Sequence, residues 1–270
     1  MELRALAEGV LLGGRLADKL RAPTEPLSDA APGEARAVAE PARAGALRWR
    51  PEEAEVPPAT RLEEPRRRAA LLHAFANHEL LATELFAHAL LRWPDAPAGF
   101  RRGLAQTLLD EQRHLGLYVA RLEALGVPFG ELPLNRYLWD AMAAVPDPPT
   151  FVAVMALTFE QANLDHMRST AQALRAVGDE ASAAILDQIG REEVQHVALG
   201  LRWFERWRVR PRHREQQAGA PGRSASEAGG GSARPASGGA RERAASAERS
   251  RAPWGVSPRA CPEGEEWDRP

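Results

Sequence analysis

Two short motifs in the chain pair an acid with an imidazole at helical spacing: Glu111-Gln112-Arg113-His114 and Glu193-Val194-Gln195-His196. Side chains three residues apart on a helix share a face, so each motif can bring a carboxylate and an imidazole to a common point. Carboxylate oxygens mixed with imidazole nitrogens, without thiolates, suit iron or manganese. The motifs alone decide little, because 27 Glu and 7 His in 270 residues give about one such spacing by chance. Their placement decides more. Two further acids lie inside apolar stretches, Glu79 between Phe75 and Phe86 and Glu160 in FVAVMALTFEQANL. An unpaired carboxylate buried there is costly, so something positive must accompany it.

The elements that position these residues are four long helices. Apolar residues at Leu72, Phe75, Ala76, Ala82, Phe86 and Leu90 predict a helix over about 66–92 with one buried stripe, ended by Trp93-Pro94. A second helix starts near Pro97, with Asp95 as its cap, and stops at Gly126-Val127-Pro128. A third, continuous over about 149–177, ends at Gly178, where Asp179 caps a fourth over about 180–207. Short connections make two antiparallel hairpins, and residues 127–148 are long enough to cross from one end to the other. Partners at equal height in a hairpin are equidistant from its turn. The midpoint of Glu79 and Glu111 is residue 95, and that of Glu160 and Glu193 falls beside Gly178, so all four acids share one layer. That layer lies roughly 24 Å from the turns at about 1.5 Å per residue. Glu79 to Glu160 is 81 residues and Glu111 to Glu193 is 82. The fold class expected is all-α: a ferritin-like four-helix bundle of two hairpins joined by one long crossover.

Outside the bundle, residues 1–20 have the spacing of a helix weakened by Gly9, Gly13 and Gly14, and 22–65 form a Pro-rich arm with little regular structure. The division expected is an N-terminal helix and wrapping arm over 1–65, a di-metal bundle over 66–207 and a low-complexity, disordered tail over 208–270. Lys19 is the only lysine among 35 basic residues, and the net charge is -2, so arginine richness is no sign of nucleic-acid binding. One cysteine, Cys261, excludes an intrachain disulfide and any multi-thiolate site. No stretch reads as a membrane span or signal peptide, which makes the cytoplasm the expected location.

The ligand set expected is therefore Glu79, Glu111, His114, Glu160, Glu193 and His196, holding two metal ions. Asp110 and Glu192 each precede a ligand Glu and are placed to accept the distal N–H of a ligand histidine on the opposing helix. Tyr118 and Thr107, one turn from His114 and Glu111, line the open side, although a packed core aromatic and a hydroxyl bonded to the Gly103 carbonyl are the plainer roles. His73, His78, His88 and His166 fall off the ligand faces by helical phase, and His213 belongs to the tail.

Residues 72–92 (LHAFANHELLATELFAHALLR), 94–131, 157–166 (LTFEQANLDH) and 191–204 (REEVQHVALGLRWF) resemble the bacterial ferritin-like family catalogued as domain of unknown function four-five-five. Asp110-Glu111-Gln112-Arg113-His114 is also similar to the Asp-Glu-x-Arg-His signature of di-iron monooxygenases. The resemblance implies two iron ions, with manganese or a mixed pair as variants, and activation of O2 for oxidation of an organic substrate. Asn163 stands where rubrerythrin-type peroxidases carry a further Glu, there is no Cys-rich rubredoxin module, and no fifth ferritin helix follows. The functional expectation is a di-iron oxidase or oxygenase with an unspecified electron donor, compatible with a homodimer. The rival readings are iron or manganese handling and a metal-stabilised scaffold without catalysis.

Overall fold

Helix α3 (Pro65–Arg92) is the element round which the others are laid. Proline at its first position suits the helix start, where the missing N–H costs nothing. The sequence predicts one buried stripe, but in the computed structural model every residue from Leu71 to Leu91 is buried. The reason is a second layer on its outer side. Residues 1–54, 58–59 and 61–208 are described; the expected tail lies beyond them, apart from Arg208.

That layer begins with α1 (Leu3–Leu12) and α2 (Leu16–Lys19), where the sequence suggests one helix over 1–20. The break falls at Gly13-Gly14, and a Cβ on Gly13 would lie 2.3 Å from the Asp18 Cβ. The arm that follows has only one 3-10 turn, Gly45–Leu47, among its described residues. Its backbone is satisfied by other elements instead, as buried polar groups require. Arg36 N–H donates to the Leu91 carbonyl (2.9 Å), Ala42 N–H to that of Leu11 (2.7 Å) and Val38 N–H to His88 Nε2 (3.1 Å).

Helix α4 (Ala98–Ala124) returns along α3 after a short turn. Its N-cap is Pro97, with no side-chain bond, so Asp95 is not the cap. Buried Arg101 closes this end of the hairpin, donating to the carbonyls of Leu90 (2.7 Å) and Trp93 (3.0 Å) at the end of α3. It also grips Asp29 of the arm with two bonds of 2.8 and 2.7 Å.

A connection containing α5 (Tyr137–Met142) leads to α6 (Pro148–Val154), a π-helical turn over Met155–Glu160, and α7 (Gln161–Ala176). The sequence predicts one continuous α-helix here. The π turn bonds five residues apart rather than four, which sets Glu160 in line with Met155, and both side chains are buried. Gly178, at φ 79°, then makes the turn into α8 (Glu180–Arg208). Asp179 caps α8 by accepting the Ser182 N–H (3.1 Å) and is itself held by Arg121 of α4 (2.7 Å) and Arg68 of α3 (3.1 Å). At the opposite end Phe100 of α4 meets Trp203 and Trp207 of α8. The turn of each hairpin therefore lies at the open end of the other. The architecture is all-helical, and no described helix is long and apolar enough to cross a membrane.

Because Arg101 both caps α3 and neutralises Asp29, Arg101→Met should cost about 3–5 kcal/mol in chemical denaturation. Asp29→Asn should cost less, since the buried Arg101 guanidinium loses its counter-charge but keeps its bonds to the Leu90 and Trp93 carbonyls.

Candidate metal centre

Each helix of the two hairpins brings one part of a buried acidic cluster: Glu79 from α3, Glu111 and His114 from α4, Glu160 from the end of the π turn, Glu193 and His196 from α8. All six are buried, His196 being the most exposed at 4%. Their ligand atoms form two sets, Glu79, Glu111, His114, Glu193 and Glu111, Glu160, Glu193, His196, each within 4.8 Å of one another. The structure thus brings together all the ligand candidates read from the sequence.

The two acids common to both sets have a specific orientation. Glu111 Oε2 lies 3.6 Å from His114 Nδ1 and its Oε1 3.1 Å from His196 Nδ1. Glu193 Oε1 lies 3.2 Å from His114 Nδ1 and its Oε2 2.7 Å from His196 Nδ1. Each carboxylate turns one oxygen to each imidazole, so either could serve two ions at once, with Glu79 in one set only and Glu160 in the other.

The imidazoles are oriented from behind. His114 Nε2 is 2.8 Å from Glu192 Oε2, and His196 Nε2 is 3.4 Å from Asp110 Oδ2. Both contacts cross between α4 and α8 and place an N–H on Nε2, so that Nδ1, once it has lost its own proton, turns a lone pair to the cluster. The sequence assigned no role to Arg113, which donates to Asp110 (2.9 Å) and Glu192 (2.6 Å) and so joins the two supports. Its signal was its position three residues after Asp110. Burial pushes Asp110 and Glu192 up, but bonds from the histidines and Arg113 outweigh it and hold both below the usual carboxylate range.

Within the cluster, burial and then the neighbouring acids raise Glu79 and Glu160 well above that range. Burial acts the same way on Glu111 and Glu193, yet the two imidazoles facing them prevail and lower both. His114 is disfavoured as a cation by burial, but Glu111 and Glu193 lift it to about 10, and His196 is lifted further. Without an ion the cluster therefore neutralises itself, with two imidazolium groups against two carboxylates and two carboxylic acids. Two divalent cations would balance four carboxylates and two neutral imidazoles equally well. No lysine or arginine pairs with any of the six ligands among the described residues. Both oxygens of Glu79 and of Glu111 are buried without hydrogen bonds, as are Glu160 Oε1 and Glu193 Oε1. These orphaned atoms are of the kind that a bound cation satisfies.

Glu84 is the control. It is as buried as Glu79 on the same helix, but Lys19 (2.9 Å) and Arg43 (2.6 Å) neutralise it. The sequence missed this pairing because Lys19 and Arg43 come from the arm.

Tyr118 is fully buried and stacked on Phe75, ring centroids 5.9 Å apart, so the core role holds. Its hydroxyl also has no partner among the described residues, and burial followed by the charges of Glu79, Glu193 and Glu111 pushes its pKa up. Thr107 is buried and its hydroxyl does not bond to Gly103. It lines a narrow cavity of about 20 Å³ with Phe86, Phe100, Met155, Glu160 and His196. His73 and His88 accept backbone N–H groups, from Gly130 and Val38, and burial depresses both to about 4. His78 is buried, with Nε2 unbonded, yet it and His166 lie outside both ligand sets. His213 and Cys261 lie outside the described residues.

A family model described as "Protein of unknown function (DUF455)" matches residues 10–244. A Haemophilus influenzae protein described as "Uncharacterized protein" is 30% identical over 144 residues, covering 50% of this chain and 50% of that protein. The chain thus spans about half the length of that relative. No solved structure matches.

Since ligation requires His114 and His196 to lose the protons that Glu111 and Glu193 stabilise, and Glu79 and Glu160 to lose the protons that burial holds on them, metal binding should release about four protons per pair of ions near neutrality. Affinity should accordingly rise between about pH 6 and pH 8. Calorimetry in buffers of different ionisation enthalpy measures the release; a value near zero would mean that the ions bind elsewhere.

Proposed function

Because the chain belongs to the DUF455 family, whose description names no activity, we propose from the site itself that it is a di-iron carboxylate protein of the ferritin-like four-helix type, activating O2 to oxidise an organic substrate. The observation that carries the reading is the double orientation of Glu111 and Glu193, each with one oxygen toward each imidazole in a cluster that no lysine or arginine neutralises among the described residues. A lone Glu from each of two helices and a Glu-x-x-His pair from each of the other two is the ligand set of di-iron and di-manganese bundles. Oxygen and nitrogen donors with no thiolate favour iron or manganese over zinc or copper held by sulfur.

Glu79 and His114 would hold one ion, Glu160 and His196 the other, and Glu111 and Glu193 both. Reduced iron held this way would supply the two electrons that O2 activation needs. The chain's own residues do the rest. Asp110 and Glu192 hold the Nε2 protons, and Arg113 keeps those acids in place. The apolar wall of Phe86, Phe100 and Met155 excludes water on the Glu160 side. Tyr118 holds a proton in the buried wall near Glu79.

The cavity favours a second reading. At about 20 Å³ it accepts little more than one water-sized molecule, which suits oxidation of the metal itself, as in iron or manganese handling, better than a bulky substrate.

Anaerobic loading of the apoprotein with Fe(II) should give about two ions per chain, and O2 should then be consumed with a transient absorption change. Glu111→Ala or Glu193→Ala should lose both ions together, since each serves both sets. Loading well below two, or unchanged in these variants, overturns the site. Fe(II) oxidation that ends in a mineral core or in released metal favours the second reading, and loading without any O2 reaction favours a structural metal.

A further inference from the structure

A second cleft opens on the other side of α3. By helical phase, Ala70 and Asn77 lie about 180° and 160° round the axis from Glu79, at about 100° per residue. The cleft, about 370 Å³, is bounded by α3, by Glu53 of the arm and by Leu132, Pro133 and Asn135 of the connection after α4. That volume is in the range of small-molecule sites, and none of the six ligand residues lines it.

Its floor is polar but not self-satisfied. His73 and Asn77 are each 2% exposed. Gly130 N–H donates to His73 Nε2 (2.9 Å), and since burial and nearby Arg50 keep the ring neutral, the proton sits on Nδ1, which makes no hydrogen bond among the described residues. Asn77 donates to the Asn135 carbonyl (3.3 Å), while its Oδ1 is buried without a partner. Buried polar groups are ordinarily bonded, so the orphaned Asn77 Oδ1, one turn from His73 in the same cleft, points to a donor that bonds it. Ala70 and Ala74, small residues one turn apart, face the apolar Leu132 and Pro133 and leave space for a compact hydrocarbon body.

The rim fixes the charge of the occupant. Glu64 is already shared by Arg61 (2.6 Å) and Arg67 (3.6 Å), and Glu53 lies 3.4 Å from Arg50. Arg66 has no carboxylate partner among the described residues and lines the mouth. The acids are neutralised and one guanidinium is left over.

From these groups we infer that the cleft binds a small organic anion, a carboxylate or phosphate monoester, whose charged head meets Arg66 and whose compact apolar body carries a hydroxyl that donates to Asn77 Oδ1 at the floor. The site is independent of the metal centre and of the activity proposed for it.

Titration calorimetry of the full chain with 4-hydroxybenzoate, 4-hydroxyphenyl phosphate and benzamidine tests this directly. At least one of the two anions should bind at one site per chain, with the cation not binding; the tighter anion identifies the head group. Arg66→Glu, an exposed change, should weaken anion binding at least about tenfold, and Ala70→Phe should abolish it by filling the cleft. Asn77→Leu should weaken it with the chain still folded by circular dichroism, and Fe(II) loading of Arg66→Glu should equal that of the unaltered protein. The inference is overturned if neither anion binds, if benzamidine binds as well as they do, or if Arg66→Glu and Ala70→Phe bind like the parent.

Discussion

Four carboxylates confined in one layer of a helical interior are the constraint on which the rest of the structure turns. Like charges in a medium of low dielectric cannot all stay ionised without a partner. The protein has two partners available to it. At Glu84 it supplies cations of its own, Lys19 and Arg43. At Glu79, Glu111, Glu160 and Glu193 it supplies only two imidazoles, whose Nδ1 atoms face the acids and whose Nε2 atoms are anchored outside. A cluster built simply to be stable would use the first solution, because removing unpaired charge is cheaper than balancing it through shared protons. The second leaves the acids exchangeable between protons and metal.

This also explains why an arm of little regular structure is tied down so firmly. α3 carries one ligand inward and one neutralised acid outward, and its outer face needs cover if the interior is to stay dry. The arm supplies it, and its anchors are themselves ionic: Asp29 on Arg101, Arg43 and Lys19 on Glu84. Gln112, next to the ligand Glu111, donates to the Lys19 carbonyl at 2.6 Å. The arm and the cluster therefore share a helix face boundary, and loosening one admits water to the other.

What the sequence made legible follows from periodicity. Helix limits set by Pro65, Trp93-Pro94 and Gly178, and the equal depth of Glu79 with Glu111 and of Glu160 with Glu193, are local or arithmetical facts. The π turn at Met155–Glu160 was not legible, because apolar spacing does not record which carbonyl an N–H chooses. The full burial of α3 was not legible either, since the residues that cover it come from an arm with no period. Arg113 was visible as a letter but not as a bridge, because its two partners, Asp110 and Glu192, are 82 residues apart and meet only when α4 and α8 pack.

The surroundings of the cluster are unequal, and that inequality bears on how anything reaches it. Over the distal nitrogens, Arg113, Asp110 and Glu192 close the surface with charge-assisted bonds. Toward Glu79, Phe75 and Tyr118 stack without a gap. Beside Glu160 the π turn, Phe100 and Thr107 leave the one described cavity that touches a candidate ligand. Gly200 lets α8 approach there, since a Cβ on it would stand 2.2 Å from the Ala156 Cβ. An approach that needs glycine on one helix and a widened turn on the other is a costly way to pack two helices. Its product is an apolar pocket at Glu160 and His196, so the side of the cluster walled by Phe86, Phe100 and Met155 is the one with room for a small apolar group.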